Sequence, residues 1–360
     1  MKIKFNFNFI LVCLITIFKY LKMQNIVSNS ISNFILLITL ILSALFLFFK
    51  RKKIKNINKN FFIVLLIMSL LQFIFSKDID LFLILLMGII FIEEKDYKNN
   101  IIKYYLFSLS AIFITTILLY LNGTLDSAYL SRTLDGKIIQ RNSLGFVHPN
   151  ETFFYFFMIL LGIYYKCNKK KTFWTIAIAS SYFLYKITLC RTGFICIFFF
   201  LLIDLFYPKK LKANKYMFLI GTIVTILLGL LGKNVNNTIN DIFSYRPYFY
   251  NYAISSKLIF NIIGNNMAQI GLNRFGFGTI DNAYFNIILS SGILFYLFYL
   301  WIYYKSGNSI EKDRKLTKIF LILLIYGCSE THVLNIGLNF LLIIQICTLL
   351  KKEKGAKSND

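Results

Sequence analysis

Apolar runs recur from one end of the chain to the other, separated by short polar stretches rich in lysine and asparagine. Their cores lie at about residues 5–18, 34–49, 61–76, 79–92, 104–121, 152–165, 172–190, 193–207, 216–232, 284–304, 319–333 and 336–350. A helix needs about 20 apolar residues to cross a hydrocarbon layer of about 30 Å, so the shorter runs must borrow flanking polar residues or sit in thinned bilayer. The pattern predicts an all-α polytopic integral membrane protein of about twelve transmembrane helices, with residues 1–360 forming one membrane domain. The tightest hairpin is Ser76-Lys77-Asp78-Ile79-Asp80, between the third and fourth runs. Two polar segments are long, 122–150 before the sixth run and 233–283 before the tenth. Connections of this length in a compact protein are usually functional.

Composition agrees with that class. Of the 360 residues, 57% are hydrophobic, above the usual share for soluble domains. The six cysteines (13, 167, 190, 196, 328 and 347) sit in or beside apolar runs without metal-ligand spacing, and read as small apolar side chains. The opening Met-Lys-Ile-Lys and the apolar run after it resemble a signal peptide. No small-residue cleavage site follows, so the run is expected to be retained as the first helix.

The formal charge of +24 carries topology rather than nucleic-acid affinity, because the lysines lie in short clusters between apolar runs. With the amino terminus inside, the loops on its side hold 28 of the 40 Lys and Arg residues. The positive-inside rule then places both termini in the cytoplasm. Segments 122–150 and 233–283 become extracytoplasmic. Arginine runs against this trend: of seven, five fall outside, namely Arg132, Arg141, Arg191, Arg246 and Arg274. A planar guanidinium fork suits bidentate recognition of phosphate oxygens.

The outer segments also gather the remaining scarce chemistry. His148-Pro149-Asn150 opens the sixth run, with proline placed for the first turn of a helix. Such an amino end offers N–H groups and positive dipole to an anion, and Arg141 lies just upstream beyond a turn at Gly145. Cys190-Arg191-Thr192-Gly193 is a tight outer turn between the seventh and eighth runs, where an arginine must snorkel or bind an anion. Glu330 and His332 stand at the outer end of the eleventh run, and Asp281-Asn282 at the mouth of the tenth. No phosphate-binding glycine loop, metalloprotease helix or nucleophile elbow is present. Asp78 and Asp80 read as an ordinary polar hairpin.

Five segments in order, Arg-Asn-Ser-Leu-Gly-Phe-Val-His-Pro-Asn (141–150), Cys-Arg-Thr-Gly-Phe (190–194), Tyr-Arg-Pro-Tyr-Phe through Ile-Ile-Gly-Asn-Asn (245–266), Asp-Asn-Ala-Tyr-Phe-Asn-Ile-Ile-Leu-Ser-Ser-Gly-Ile (281–293) and Ser-Glu-Thr-His-Val-Leu-Asn-Ile-Gly-Leu-Asn (329–339), give the chain a family likeness. It resembles the Wzy-type polymerases of bacterial capsule and O-antigen synthesis over about residues 130–340. The first four runs match only in being hydrophobic.

The resemblance implies a GT-C-like membrane glycosyltransferase of the bacterial cytoplasmic membrane. It would join oligosaccharide repeat units carried on undecaprenyl pyrophosphate at the outer face of that membrane. Its partners would be that lipid-linked oligosaccharide, membrane lipid, and a flippase and chain-length regulator of the same pathway. No cofactor and no metal are implied, because no nucleotide sugar is bound, and no general acid is required, because the donor already carries a good leaving group.

In such a reaction Arg141, Arg191 and Arg246, with Asn150 and Asn282, would bind pyrophosphate and substrate. Asp281, His148, His332 and Glu330 would be the catalytic candidates, one of them serving as base or orienting acceptor for the attacking hydroxyl. In related ligases and many polymerases a histidine precedes the asparagine at the mouth of the helix matching 281–293; here Asp281 stands there. Asp281, His148 and His332 all remain open as the base. A ligase passing finished glycan to another acceptor is the alternative within the enzyme class, and a lipid-linked oligosaccharide flippase the alternative outside it. A flippase predicts charges along a central cavity and two similar halves, and the sequence displays neither.

Overall fold

The computed structural model describes residues 7–24, 29–50, 57–76, 78–92, 94–127, 129–134, 137–207, 215–232, 246–264 and 281–351. The chain is built from helices, and each of the twelve apolar cores overlaps one. These are α1 (Phe7–Gln24), α2 (Asn29–Lys50), α3 (Lys59–Ser76), α4 (Asp80–Phe91), α5 (Tyr97–Leu121), α6 (Pro149–Lys166), α7 (Lys170–Thr188), α8 (Arg191–Phe206) and α9 (Met217–Leu231). After α10 (Arg246–Ser255) come the single turn α11 (Ala283–Asn286), α12 (Ile293–Ile310), α13 (Arg314–Gly327) and α14 (Phe340–Leu350). Among the described residues α1, α3 and α5 are long and apolar enough to cross a membrane. That is consistent with a membrane protein.

The helix ends gather at two opposite poles. At one, Gln24 after α1 donates to Glu151 of α6 at 2.6 Å, Lys19 of α1 pairs with Asp80 opening α4, and Arg141 donates to the Thr188 carbonyl closing α7 at 3.0 Å. At the other, Tyr165 near the end of α6 donates to Asp313 before α13 at 2.9 Å, Arg314 to the Tyr207 carbonyl after α8 at 3.3 Å, and the Asn58 amide before α3 to the Leu350 carbonyl ending α14 at 2.8 Å. Neighbouring helices pack through a single aromatic-rich core, in which the Tyr326 ring of α13 stacks on Phe157 of α6 at 5.0 Å. Gly193 lets α8 approach α6: a Cβ there would lie 2.2 Å from the Phe153 ring.

Three departures from the hydropathy reading matter for the site. Segment 122–150 carries a β-hairpin, β1 (Tyr129–Leu134) against β2 (Lys137–Asn142), antiparallel with Leu130 opposite Arg141. Its sequence signal is the Asp135-Gly136 pair between two β-prone runs, which an all-helical reading passes over. The tenth run is not one helix. A π-helical turn, Ile287–Ser291, follows α11, and the chain breaks at Gly292 (φ 95°) before α12. The close approach of the Ile262 carbonyl leaves no room for a Cβ at Gly292. Finally, the eleventh run ends at Gly327, so Glu330 and His332 lie beyond α13 in the link to α14 rather than on a helix end. Arg132 has its backbone in β1, and Arg274 lies outside the described residues.

Candidate functional site: an arginine-lined cavity at one pole

Arg141, Arg191 and Arg246 come from β2, the start of α8 and the start of α10, yet all three line one cavity of about 370 Å³ at the first pole. Asn150, Thr192, Tyr250 and Ser329 add to its polar wall, and Phe199 and Ile325 belong to its apolar side. Cys196 and Cys328 also line it, as small apolar side chains of the kind the cysteine spacing suggested.

A local turn and a cap position Arg141. Leu144 (φ 53°) and Gly145 (φ 87°) reverse the chain between β2 and α6. Gly145 is needed there, because a Cβ would meet Tyr120 Cβ at 2.9 Å. His148 then caps α6, its Nδ1 accepting from the Asn150 amide at 3.0 Å. Arg141 Nη2 donates to Asn150 Oδ1 at 2.7 Å, and Asn150 Nδ2 donates to Glu330 Oε1 at 2.8 Å.

Arg246 closes the circuit. Its Nη2 pairs with the same Glu330 oxygen at 3.4 Å and with Asp281 Oδ2 at 3.5 Å. The Glu330 side chain is only 2% exposed, whereas that of Asp281 is 46% exposed. Arg246 therefore leans on one buried carboxyl group, Glu330, and one half-exposed carboxylate, Asp281. Its Nε is buried without a hydrogen-bond partner among the described residues. A buried donor left unpaired is costly and signals a missing acceptor.

Asn282 sits behind the cavity as the cap of α11, accepting from the Phe285 amide at 2.9 Å. Its Nδ2 donates to the Cys328 carbonyl at 2.7 Å and to Thr225 Oγ1 at 3.0 Å. It is fully buried, does not line the cavity, and ties α9, α11 and the 328–330 link together. Tyr250 belongs to the same support, donating to the carbonyls of Cys328 at 3.1 Å and Asp281 at 3.3 Å. Sequence reasoning missed Tyr250; the only signal was its place one helical turn after Arg246.

Electrostatics sort the titratable groups. Burial, with the negative charge of Asp281 beside it, pushes the Glu330 carboxyl up to about 8, against the lowering pull of Arg246 and Arg141. Burial and the Arg141 guanidinium push His148 down to about 4. Burial also lowers His332. Both imidazoles are therefore neutral at neutral pH. In His148 the lone pair of Nδ1 is taken by an amide N–H, which puts the proton on Nε2. In this arrangement His148 presents an Nε2–H donor.

Two expectations change in this geometry. The amino end of α6 is not an open anion site, because the His148 ring and carbonyl accept the amides of Asn150, Glu151 and Thr152; positive character comes from guanidinium groups instead. His332 is not in the arginine cavity. Its ring packs 5.8 Å from that of Phe154 and lines a second, adjacent cavity. No family model, no curated protein and no solved structure matches this chain.

Proposed function

We propose that this protein is a Wzy-type polysaccharide polymerase, a polytopic membrane glycosyltransferase with about twelve spans. It joins oligosaccharide repeat units carried on undecaprenyl pyrophosphate at the outer face of a bacterial cytoplasmic membrane. The convergence of Arg141, Arg191 and Arg246 on one cavity carries the reading. Three guanidiniums from elements far apart in sequence bring positive charge and N–H donors to one place, which suits a diphosphate. The unpaired Arg246 Nε is one donor such a ligand would satisfy.

The cavity lies at the pole where α1, α3, α5 and α7 end, the lysine-poor side of the chain, and the positive-inside rule makes that side extracytoplasmic. A lipid-linked substrate can reach it from the outer leaflet. In the reaction the acceptor hydroxyl attacks the anomeric carbon of the growing chain and the bond from that carbon to the pyrophosphate oxygen breaks. Arginines placed in advance stabilise the charge that develops on the leaving diphosphate. Asp281 and Glu330 hold Arg246 in place until substrate competes for it. The three guanidiniums line a cavity at one pole; this suits an enzyme of the membrane surface better than a flippase, which needs a polar path through the bilayer.

The test is reconstitution. Protein in liposomes, supplied with lipid-linked repeat units from cells lacking it, should build a ladder of polymer and release undecaprenyl pyrophosphate. Units that stay single while the protein remains folded would exclude a polymerase.

A further inference from the structure

The arginine cavity has a neighbour of about 270 Å³ at the same pole. Ser329 lines the first cavity, and Thr331 and His332 line the second, so only Glu330 separates the two walls along the chain. At no more than about 3.6 Å of chain per residue, Ser329 and Thr331 are within about 7 Å of one another. That is on the scale of one sugar ring.

The lining of the second cavity differs in kind from the first. Among the described residues no arginine lines it; Asp78, Asp80, Gln72, Asn286, Ser290 and Asn335 supply carboxylate, amide and hydroxyl groups, with the ring of Tyr299 beside them. Asp80 is held by Lys19, and Asp78 accepts from Gln72 Nε2 at 3.3 Å and from the Asp80 amide at 3.2 Å. These groups are fixed in place and their remaining lone pairs and N–H groups suit neighbouring hydroxyls. The π-helical turn contributes Ile287, Ser290 and Ser291 to this wall. Such turns are uncommon and frequent at functional sites. A diphosphate would be repelled here by Asp78 and Asp80, whereas a neutral polyhydroxyl ligand would be hydrogen-bonded.

We propose that the second cavity is the acceptor-sugar subsite, and that His332 takes the proton of the attacking hydroxyl. The assignment rests on the polymerase reading above and gives the other half of its reaction. The acceptor oxygen forms a bond to the anomeric carbon, the electron pair of the broken bond leaves with undecaprenyl pyrophosphate, and the hydroxyl proton moves to the neutral imidazole of His332. Among the three groups open as base, His332 is the one that faces this cavity. His148 has its Nδ1 lone pair engaged, and Asp281 is paired with Arg246.

The probe is the delipidated repeat-unit oligosaccharide, released by mild acid from the lipid-linked units of a deletion strain. Its binding to the full chain in detergent is followed by saturation-transfer NMR, with undecaprenyl pyrophosphate binding measured in parallel. Asn286→Ala and the cavity-filling Ser290→Trp should each weaken the oligosaccharide about tenfold, the scale of one or two lost hydrogen bonds. Arg246→Ala should leave it unchanged and weaken undecaprenyl pyrophosphate. His332→Gln should retain oligosaccharide binding while kcat for polymerisation falls by about 10²–10⁴. Thermal unfolding confirms that each variant is folded. Absence of oligosaccharide binding in the unaltered protein, or binding that Asn286→Ala and Ser290→Trp both leave intact, would overturn the subsite. Full polymerisation by His332→Gln would overturn its role as base. Oligosaccharide binding without any undecaprenyl pyrophosphate binding would instead remove the polymerase reading and the acceptor role with it.

Discussion

Arg246 is held by two carboxyl groups of unequal standing, Glu330 fully enclosed and Asp281 half open, and its Nε has no partner among the described residues. Replacing it by alanine should cost about 10²–10³ in polymerisation rate, the usual loss when one preorganised charge-stabilising donor is removed. Lysine should rescue poorly, since a point charge cannot reproduce the fork. Rates from reconstituted protein at matched amounts decide this. Glu330 adds a pH dependence. Below about 8 its carboxyl is protonated and neutral, leaving Arg246 available to the diphosphate. As pH rises through that value the carboxylate ionises and competes, so affinity for undecaprenyl pyrophosphate should fall. A Glu330→Gln variant should flatten the profile, measured by titrating binding between pH 6 and about 9, a window set by the raised carboxyl.

At the scale of elements, turns and caps rather than long helices set the geometry. Gly145→Ala would add a Cβ against Tyr120 in a left-handed turn, at a cost of about 1–3 kcal/mol, and would shift Arg141 against Asn150. Lower thermal stability together with reduced polymer is expected. Asn282→Ala should act through the support alone. It removes a helix cap worth about 1 kcal/mol and leaves the Cys328 carbonyl without that donor. Its unfolding midpoint should drop, while added undecaprenyl pyrophosphate should still raise that midpoint. The helices were legible because burial in a bilayer demands continuous apolar runs, visible in any window. The π-helical turn and the 328–335 link were not, because long-range contacts such as Gly292 against Ile262 decide them, whereas the β-hairpin had a local signal, Asp135-Gly136, that a hydropathy window does not weigh. Of the site, the arginines stood out by scarcity and by side. The placing of His332 in a second cavity with Asp78 and Asp80 depends on α1, α3 and α4, elements whose sequence carries hydrophobicity and little else.

For the whole molecule, the proposed function requires the two poles to match the two sides of a membrane. In a background without the six native cysteines, a cysteine at Thr124 should react with an impermeant maleimide on intact cells, and one at Lys312 only after permeabilisation. Both positions are exposed in the structure. The reverse pattern would turn the arginine cavity toward the cytoplasm and remove it from the outer-face reaction. The most direct test of the central claim is the affinity of the purified protein for undecaprenyl pyrophosphate compared with undecaprenol. If Arg141, Arg191 and Arg246 hold the diphosphate, the pyrophosphate should bind far more tightly. Arg191→Ala and Arg246→Ala should each remove much of that difference, on the order of tenfold or more for a charge-assisted contact. Equal affinity for the two lipids, or a preference that survives both substitutions, would contradict the account.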